Sequence, residues 1–218
     1  MIQFKNVCKS FLINGTRTTI ADDINVIFPS NTSVALLGRN GAGKSSLLRM
    51  ISGTMDPNRG RIEYTGAVSW SVGFAGSFHA DLSGAQNTRF IARIYGVDSD
   101  NLIEYVKDFA GLKEHYYLPF RTYSSGMRAR LAFGVSMGIK FDTYLVDEIT
   151  SVGDMAFRNK CVAVFEERMK DSGAIVVSHS IGVVRKMCTS GAVLENGKLT
   201  YYEDLEEAIV VHNMNMGL

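Results

Sequence analysis

An α/β fold with a largely parallel sheet is what this sequence predicts, and three observations carry the prediction. Short apolar runs at residues 34–37, 144–146 and 174–177 read as strands buried on both faces, because a strand covered by helices on either side has no solvent face to alternate with. The first two runs are followed by segments whose apolar residues recur at helical spacing. A glycine-rich loop joins the first run to the first of those helices, as strand–helix alternation in a parallel sheet requires.

The elements follow in order. Residues 2–7 and 20–28 alternate or cluster apolar side chains in the manner of strands, and Asn14-Gly15 between them is a turn signal. Leu47, Leu48 and Ile51 fall on one helical face, with Gly53 placed to stop the helix. From Ser83 to about residue 112 the pattern is helical, with Phe90, Ile91 and Ile94 on one stripe and Leu102, Val106 and Phe109 on another. Further helices are expected at about 127–138 and 157–169, then a hairpin at 193–202 turning at Asn196-Gly197, and a short helix from Asp204. The expected organisation is a single domain over 1–218 with a helical insertion at about 76–138.

Composition bounds the function. The chain has 218 residues, 46% hydrophobic and 21% charged, with a formal net charge of +1, which gives no global electrostatic footprint for nucleic acid. Cys8, Cys161 and Cys188 are isolated and odd in number, so neither a disulfide framework nor a zinc site is suggested, and a reduced setting fits. The N-terminus lacks the layout of a secretory signal, and no apolar run approaches the roughly 18 to 20 residues that span a bilayer. Work at a membrane would require another chain to supply the spans.

Gly38-Arg39-Asn40-Gly41-Ala42-Gly43-Lys44-Ser45 fills every fixed position of the phosphate-binding pattern G-x-x-x-x-G-K-[ST], between a predicted strand and a predicted helix. Glycines let backbone N–H groups wrap phosphate, and the helix N-terminus adds partial positive charge. Lys44 is expected on the β- and γ-phosphates and Ser45 on Mg2+, with Ser46 continuing the loop into the helix. A metal-holding acid and a group that orients or deprotonates the attacking water are also needed. Asp147 and Glu148 close a buried strand, where adjacent carboxylates are costly unless a cation and water face them. His179 follows the strand at 174–177 and is expected at the same sheet edge.

Leu82-Ser83-Gly84-Ala85-Gln86 invites reading as a nucleotide signature. Ser83 and Gln86 instead make a capping box at a helix start. Tyr123-Ser124-Ser125-Gly126-Met127 opens the helix that leads directly to the Asp147 strand, and as a helix N-terminus with free amides and hydroxyls it suits an anion. We therefore take 82–86 as a decoy and 123–127 as the signature.

These residues resemble the nucleotide-binding subunits of ABC transporters. They are similar in particular to the ATPases of bacterial capsular polysaccharide exporters, on Trp70-Ser71-Val72-Gly73-Phe74-Ala75-Gly76-Ser77-Phe78, on Ser-Ser-Gly-Met at 124–127, and on Val152-Gly153-Asp154 after the acidic pair. The resemblance implies a P-loop NTPase (RecA-like) core with an N-terminal antiparallel β subdomain and an inserted α-helical subdomain, using ATP and Mg2+. It implies that Phe11 stacks on adenine, Glu148 is the catalytic base, His179 senses the γ-phosphate, and Ser151, Val152, Gly153 and Asp154 contact a partner subunit. Two copies would sandwich two ATP molecules, each between one copy's phosphate loop and the other's Ser124, Ser125, Gly126 and Met127.

The resemblance further implies an integral-membrane permease, two copies expected, that handles most of the polysaccharide, and a position on the cytoplasmic face of the inner membrane, with no nucleic-acid partner. Relatives carry a glutamine ahead of the helical insertion, but none lies between Val68 and Leu82. His79 is the nearest polar substitute, with an ordinary surface histidine as the alternative. The chain leaves no room for a C-terminal carbohydrate-binding or regulatory extension, which favours capsule export over O-antigen or teichoic-acid export. A soluble ABC-type ATPase, a small-molecule kinase and a non-hydrolysing nucleotide-binding module are the rival readings.

Overall fold

The computed structural model describes residues 1–13, 15–73, 76, 78–147 and 154–217. Two compact units divide the chain: Met1–Ser71 with Phe141–Glu148 and Met169–Leu218, and Val72–Lys140 with Ile149–Arg168.

The first unit holds two sheets. Strands β1 (Ile2–Ile13), β2 (Thr16–Ile24), β3 (Ile27–Phe28) and β5 (Arg59–Tyr64) form an antiparallel four-stranded sheet with β1 paired to each of the others. Strand β2 starts earlier than apolar clustering predicts. Its pairing with β1 places Leu12 opposite Arg17 and Phe11 opposite Thr18, so the polar residues 16–19 are paired although exposed. Strand β5 is mostly polar and half-exposed, which is why no apolar pattern announces it.

The second sheet runs β10-β9-β4-β8-β7-β6, from β4 (Ser33–Leu37), β6 (Val68–Ser71), β7 (Thr143–Asp147), β8 (Gly173–Val177), β9 (Ser190–Glu195) and β10 (Lys198–Tyr202). All its pairs are parallel except the β9–β10 hairpin. The expected strands at 34–37, 144–146 and 174–177 are thus three adjacent central strands, and β8 is buried at every position.

Helix α1 (Lys44–Ile51) follows β4 and buries Leu47, Leu48, Met50 and Ile51, each removing apolar area from water at about 1.5–3 kcal/mol. A short helix α6 (Ile181–Met187) follows β8, and α7 (Leu205–Met216) packs on β9. A Cβ on Gly191 would lie 2.3 Å from Ala208 Cβ. Only a glycine lets α7 approach this closely.

The second unit is helical: α2 (Gly84–Ile94), α3 (Ser99–Ala110), two 3-10 turns (Lys113–Tyr117 and Phe120–Thr122), α4 (Ser125–Gly138) and α5 (Met155–Arg168). The continuous helical pattern from Ser83 is two helices, because Asp98 caps α3 through the amides of Asp100 and Asn101 and the chain turns between them. The expected stripe of Phe90, Ile91 and Ile94 is corrected. Ile91 is buried, whereas Phe90 and Ile94 are 52% and 58% exposed. Small and polar residues, Gly84, Asn87, Thr88 and Ala92, form the inward face of α2 instead. Around Phe109 of α3, Phe133 stacks at 5.8 Å and Phe157 meets it edge-on at 5.4 Å, joining α4 and α5 to one aromatic core.

Candidate nucleotide-binding site

The loop from β4 into α1 has the geometry its glycines suggest. Gly43 has φ 105°, and a Cβ there would lie 2.2 Å from the Ile20 side chain, so both backbone conformation and β2 exclude other residues. Gly38 is held as tightly, its missing Cβ facing Leu194 O at 2.5 Å. The Lys44 ammonium donates to Gly38 O at 2.6 Å and Arg39 O at 3.0 Å, folded back over the loop that it would leave for phosphate.

A cavity of about 520 Å³ opens over this loop. Its wall gathers residues from distant parts of the chain: Phe11 of β1, the loop residues Asn40, Gly41 and Gly43, Lys44, Ser45 and Ser46 of α1, Asp147 at the end of β7, and His179 beyond β8. Parallel register explains the convergence, since Asp147 pairs with Val177 and both strands end at the edge where the loop lies. Gly38 and Arg39 line an adjoining cavity, and Ala42 packs on the hydrophobic core. Ser45 and Asp147 bring a hydroxyl and a carboxylate to one wall, a hard-oxygen donor pair that suits Mg2+. Sequence reading missed Thr18 and Ile20 in this wall, although the β1–β2 pairing places Thr18 opposite Phe11. Lys9 Nζ sits 5.3 Å from the Phe11 ring centroid.

In the helical unit, the two candidate signatures separate by packing. Ser83 and Gln86 make a complete capping box, Gln86 N–H donating to Ser83 Oγ at 3.1 Å and Ser83 N–H to Gln86 Oε1 at 2.8 Å. Gly84 is buried, and a Cβ on it would meet Tyr123 Oη at 2.5 Å and Tyr116 Cδ2 at 2.9 Å. At 124–127 the opposite holds. Ser124 caps α4 through the Met127 amide at 3.3 Å, Ser124 and Ser125 are exposed, and nothing lies within 4 Å of a Cβ on Gly126. The first glycine serves packing; the second leaves a helix terminus open.

His79 Nδ1 accepts the Asp81 N–H at 3.2 Å, and Asn87 bridges the His79 backbone from both sides, so this histidine is engaged in shaping its own loop. Asp154 accepts the Phe157 N–H at the start of α5 and pairs with Arg130; these contacts hold its carboxyl below the usual range. Glu148, Ser151, Val152 and Gly153 lie outside the described residues. Burial pushes the thiols of Cys161 and Cys188 up to about 12, and all three cysteines are free.

A family model described as "ABC transporter" matches residues 21–151. The chain is 43% identical over 100% of its length, and 99% of the relative's, to the polysialic acid transport ATP-binding protein KpsT of Escherichia coli. The chain belongs to the ABC transporter family. This ABC transporter chain is also 42% identical to the ATP-binding protein BexA of Haemophilus influenzae, covering 98% of each. An O-antigen export ATP-binding protein, RfbB of Klebsiella pneumoniae, stands further off at 32% over 94% of the chain and 85% of the relative. Among solved structures, an ATP-binding cassette dimer bound to ADP and Pi superposes with a TM-score of 0.78 over 94% of this chain and 99% of that one, at 18% identity, and confirms the fold. The ABC transporter chain is an ATPase. Among the described residues no helix is long and apolar enough to cross a membrane.

Proposed function

We propose that this chain is the ATP-hydrolysing subunit of an exporter of capsular polysaccharide, working through a separate membrane subunit. The observation that carries the proposal is the single cavity joining Phe11, the phosphate loop, Asp147 and His179. Full-length likeness to a polysialic acid transport protein and, at 41% identity, to the capsule polysaccharide export ATP-binding protein CtrD of Neisseria meningitidis, closer than to an O-antigen exporter, supports the choice of cargo.

In this reading Phe11 stacks on adenine. Lys44 exchanges the carbonyls of Gly38 and Arg39 for phosphate oxygens, and the loop amides and α1 N-terminus stabilise the charge that builds on the γ-phosphoryl group. Ser45 and Asp147 hold Mg2+, which neutralises phosphate charge. Glu148 orients and deprotonates the attacking water, and His179 contacts the γ-phosphate. Ser124, Ser125, Gly126 and Met127 of a second copy close over the nucleotide, with 151–154 lining the contact between copies. The membrane subunit, in two copies, handles the polysaccharide and holds the ATPase at the cytoplasmic face of the inner membrane. Exposed Phe90 and Ile94 on α2 and Tyr95 just after it supply apolar area for such a partner. His79 stands for the missing glutamine in coupling.

The test is the mass in solution of Glu148→Gln with and without ATP and Mg2+, beside wild-type hydrolysis. ATP-dependent dimerisation that Ser125→Arg abolishes and Ser83→Ala leaves intact supports the reading. A wild type that binds ATP without hydrolysing it, alone or with its membrane partner, overturns it.

A further inference from the structure

A second cavity, of about 430 Å³, adjoins the phosphate loop within the first unit and shares Asn40, Lys44 and His179 with the nucleotide cavity. Its own additions are Arg39, Ser178, and His212 and Asn213 of α7, over an apolar floor that includes Leu36 and Ile181. Two cations, two imidazoles, two carboxamides and a hydroxyl face this space, and no carboxylate is among its lining residues. Such a wall is complementary to a small oxyanion. The volume equals that of about a dozen waters, enough for a tetrahedral oxyanion and part of its hydration shell.

His212 is the residue that the nucleotide reading leaves unexplained. Its Nδ1 is buried without a hydrogen-bond partner among the described residues, a condition that native proteins rarely keep without a reason. The helix that carries it is nevertheless held in place. The close Gly191–Ala208 contact seats α7 on β9, and Arg185 of α6 grips Glu206 of α7 through two bonds of 2.7 and 2.8 Å. The helix that follows His179 is thereby tied to the helix that carries His212.

We propose that this cavity is a holding site for inorganic phosphate, with His212 and Asn213 as the ligands that distinguish it from the γ-phosphate position. The proposal rests on the ATPase activity, which supplies the anion. No bond changes in the step: hydrolysis has already placed the water oxygen on phosphorus and left the bridging oxygen on ADP, and the freed anion moves past Lys44 and His179, which line both spaces. The groups facing His212 are Lys44, which with burial disfavours its charged form, and Glu195, which favours it; His179 and Arg39 complete the charged and titratable lining. A bound anion offsets the Lys44 field at His212.

The test is titration of nucleotide-free protein with inorganic phosphate at constant ionic strength, followed by 31P line width, for wild type, His212→Ala and Asn213→Asp. Thermal melts confirm that each variant is folded. Wild type is expected to bind phosphate in the millimolar range or tighter. Both variants should weaken it at least about tenfold while ADP affinity moves less than about twofold, because neither residue lines the nucleotide cavity. Phosphate inhibition of ATP hydrolysis should weaken in parallel. Unchanged phosphate binding in both folded variants places the anion at the γ-phosphate position and overturns the proposal, as does a wild type that binds no phosphate. Hydrolysis of ATP by the same wild-type preparation is scored separately, so a failure of the ATPase reading is not mistaken for a failure of the phosphate site.

Discussion

Two glycines that look alike in sequence should respond oppositely to one added methyl group. At Gly84 the new Cβ would sit 2.5 Å from Tyr123 Oη and 2.9 Å from Tyr116 Cδ2, both rings being buried at 4% and 0% exposure. Carbon contacts are optimal near about 3.5–4.0 Å, so an ångström of overlap must be relieved by moving rings locked in a core. Overpacking of this kind costs about 1–3 kcal/mol, offset by up to about 1 kcal/mol of helix propensity gained when alanine replaces glycine. Gly84→Ala should therefore lose about 1–2 kcal/mol, a fall of roughly 2–8 °C in Tm for a chain of this size, while its ATP hydrolysis below the transition stays near wild type. Gly126→Ala meets nothing within 4 Å. It should keep or raise Tm, yet lose ATP-dependent dimerisation and most hydrolysis, because in the proposed sandwich the methyl group covers amides that phosphate would reach. Thermal melts and ATPase rates on the two variants decide the matter. A stable, inactive Gly84→Ala beside a fully active Gly126→Ala would refute the assignment of the signature and the packing argument together.

Other expectations are sharper in one number each. Lys44→Ala should lower hydrolysis by at least about a hundredfold, with little change in Tm because its loop partners are partly solvated carbonyls. Phe11→Ala should weaken ATP by about 1–3 kcal/mol, the worth of one base–aromatic stack, read as a rise in KM. Cys161 and Cys188, with thiols raised to about 12, are roughly one part in ten thousand thiolate at pH 8. Alkylation of the native protein should therefore mark Cys8 first, as peptide mapping would show. The burial that lowers the His212 pKa, with Lys44 adding to it, sets a direction for acid stability. This contribution is undiminished above the ordinary value of about 6.5 and is lost as pH falls from there through the lowered pKa. His212→Gln should flatten that decline in a Tm-versus-pH series.

What the sequence made legible is what short-range chemistry encodes. The phosphate loop is one contiguous pattern, and the strands at 34–37, 144–146 and 174–177 are apolar throughout because both their faces are covered. The capping box at Ser83 is local in the same sense. Misreadings arose where tertiary neighbours decide. On α2 apolar residues lie on two sides, and the core chose the side with Gly84, Thr88 and Ala92, which no hydrophobicity count favours. Strand β5 is polar because β1 needs only its backbone edge. His212 carries no local signal at all, for its place beside Lys44 depends on how closely Gly191 admits α7.

The hairpin that carries Phe11 has a consequence for fuel. The side of the nucleotide cavity contributed by β1 and β2 consists of a phenyl ring, a threonine and an isoleucine, held in register by the antiparallel pairing of the two strands. Such a surface offers a flat apolar face and, beyond the Thr18 hydroxyl, no side-chain polar group to read the exocyclic groups that tell adenine from guanine. If Phe11 stacks on the base as proposed, this side of the cavity does not tell one base from another, and ATP and GTP should support hydrolysis at comparable rates.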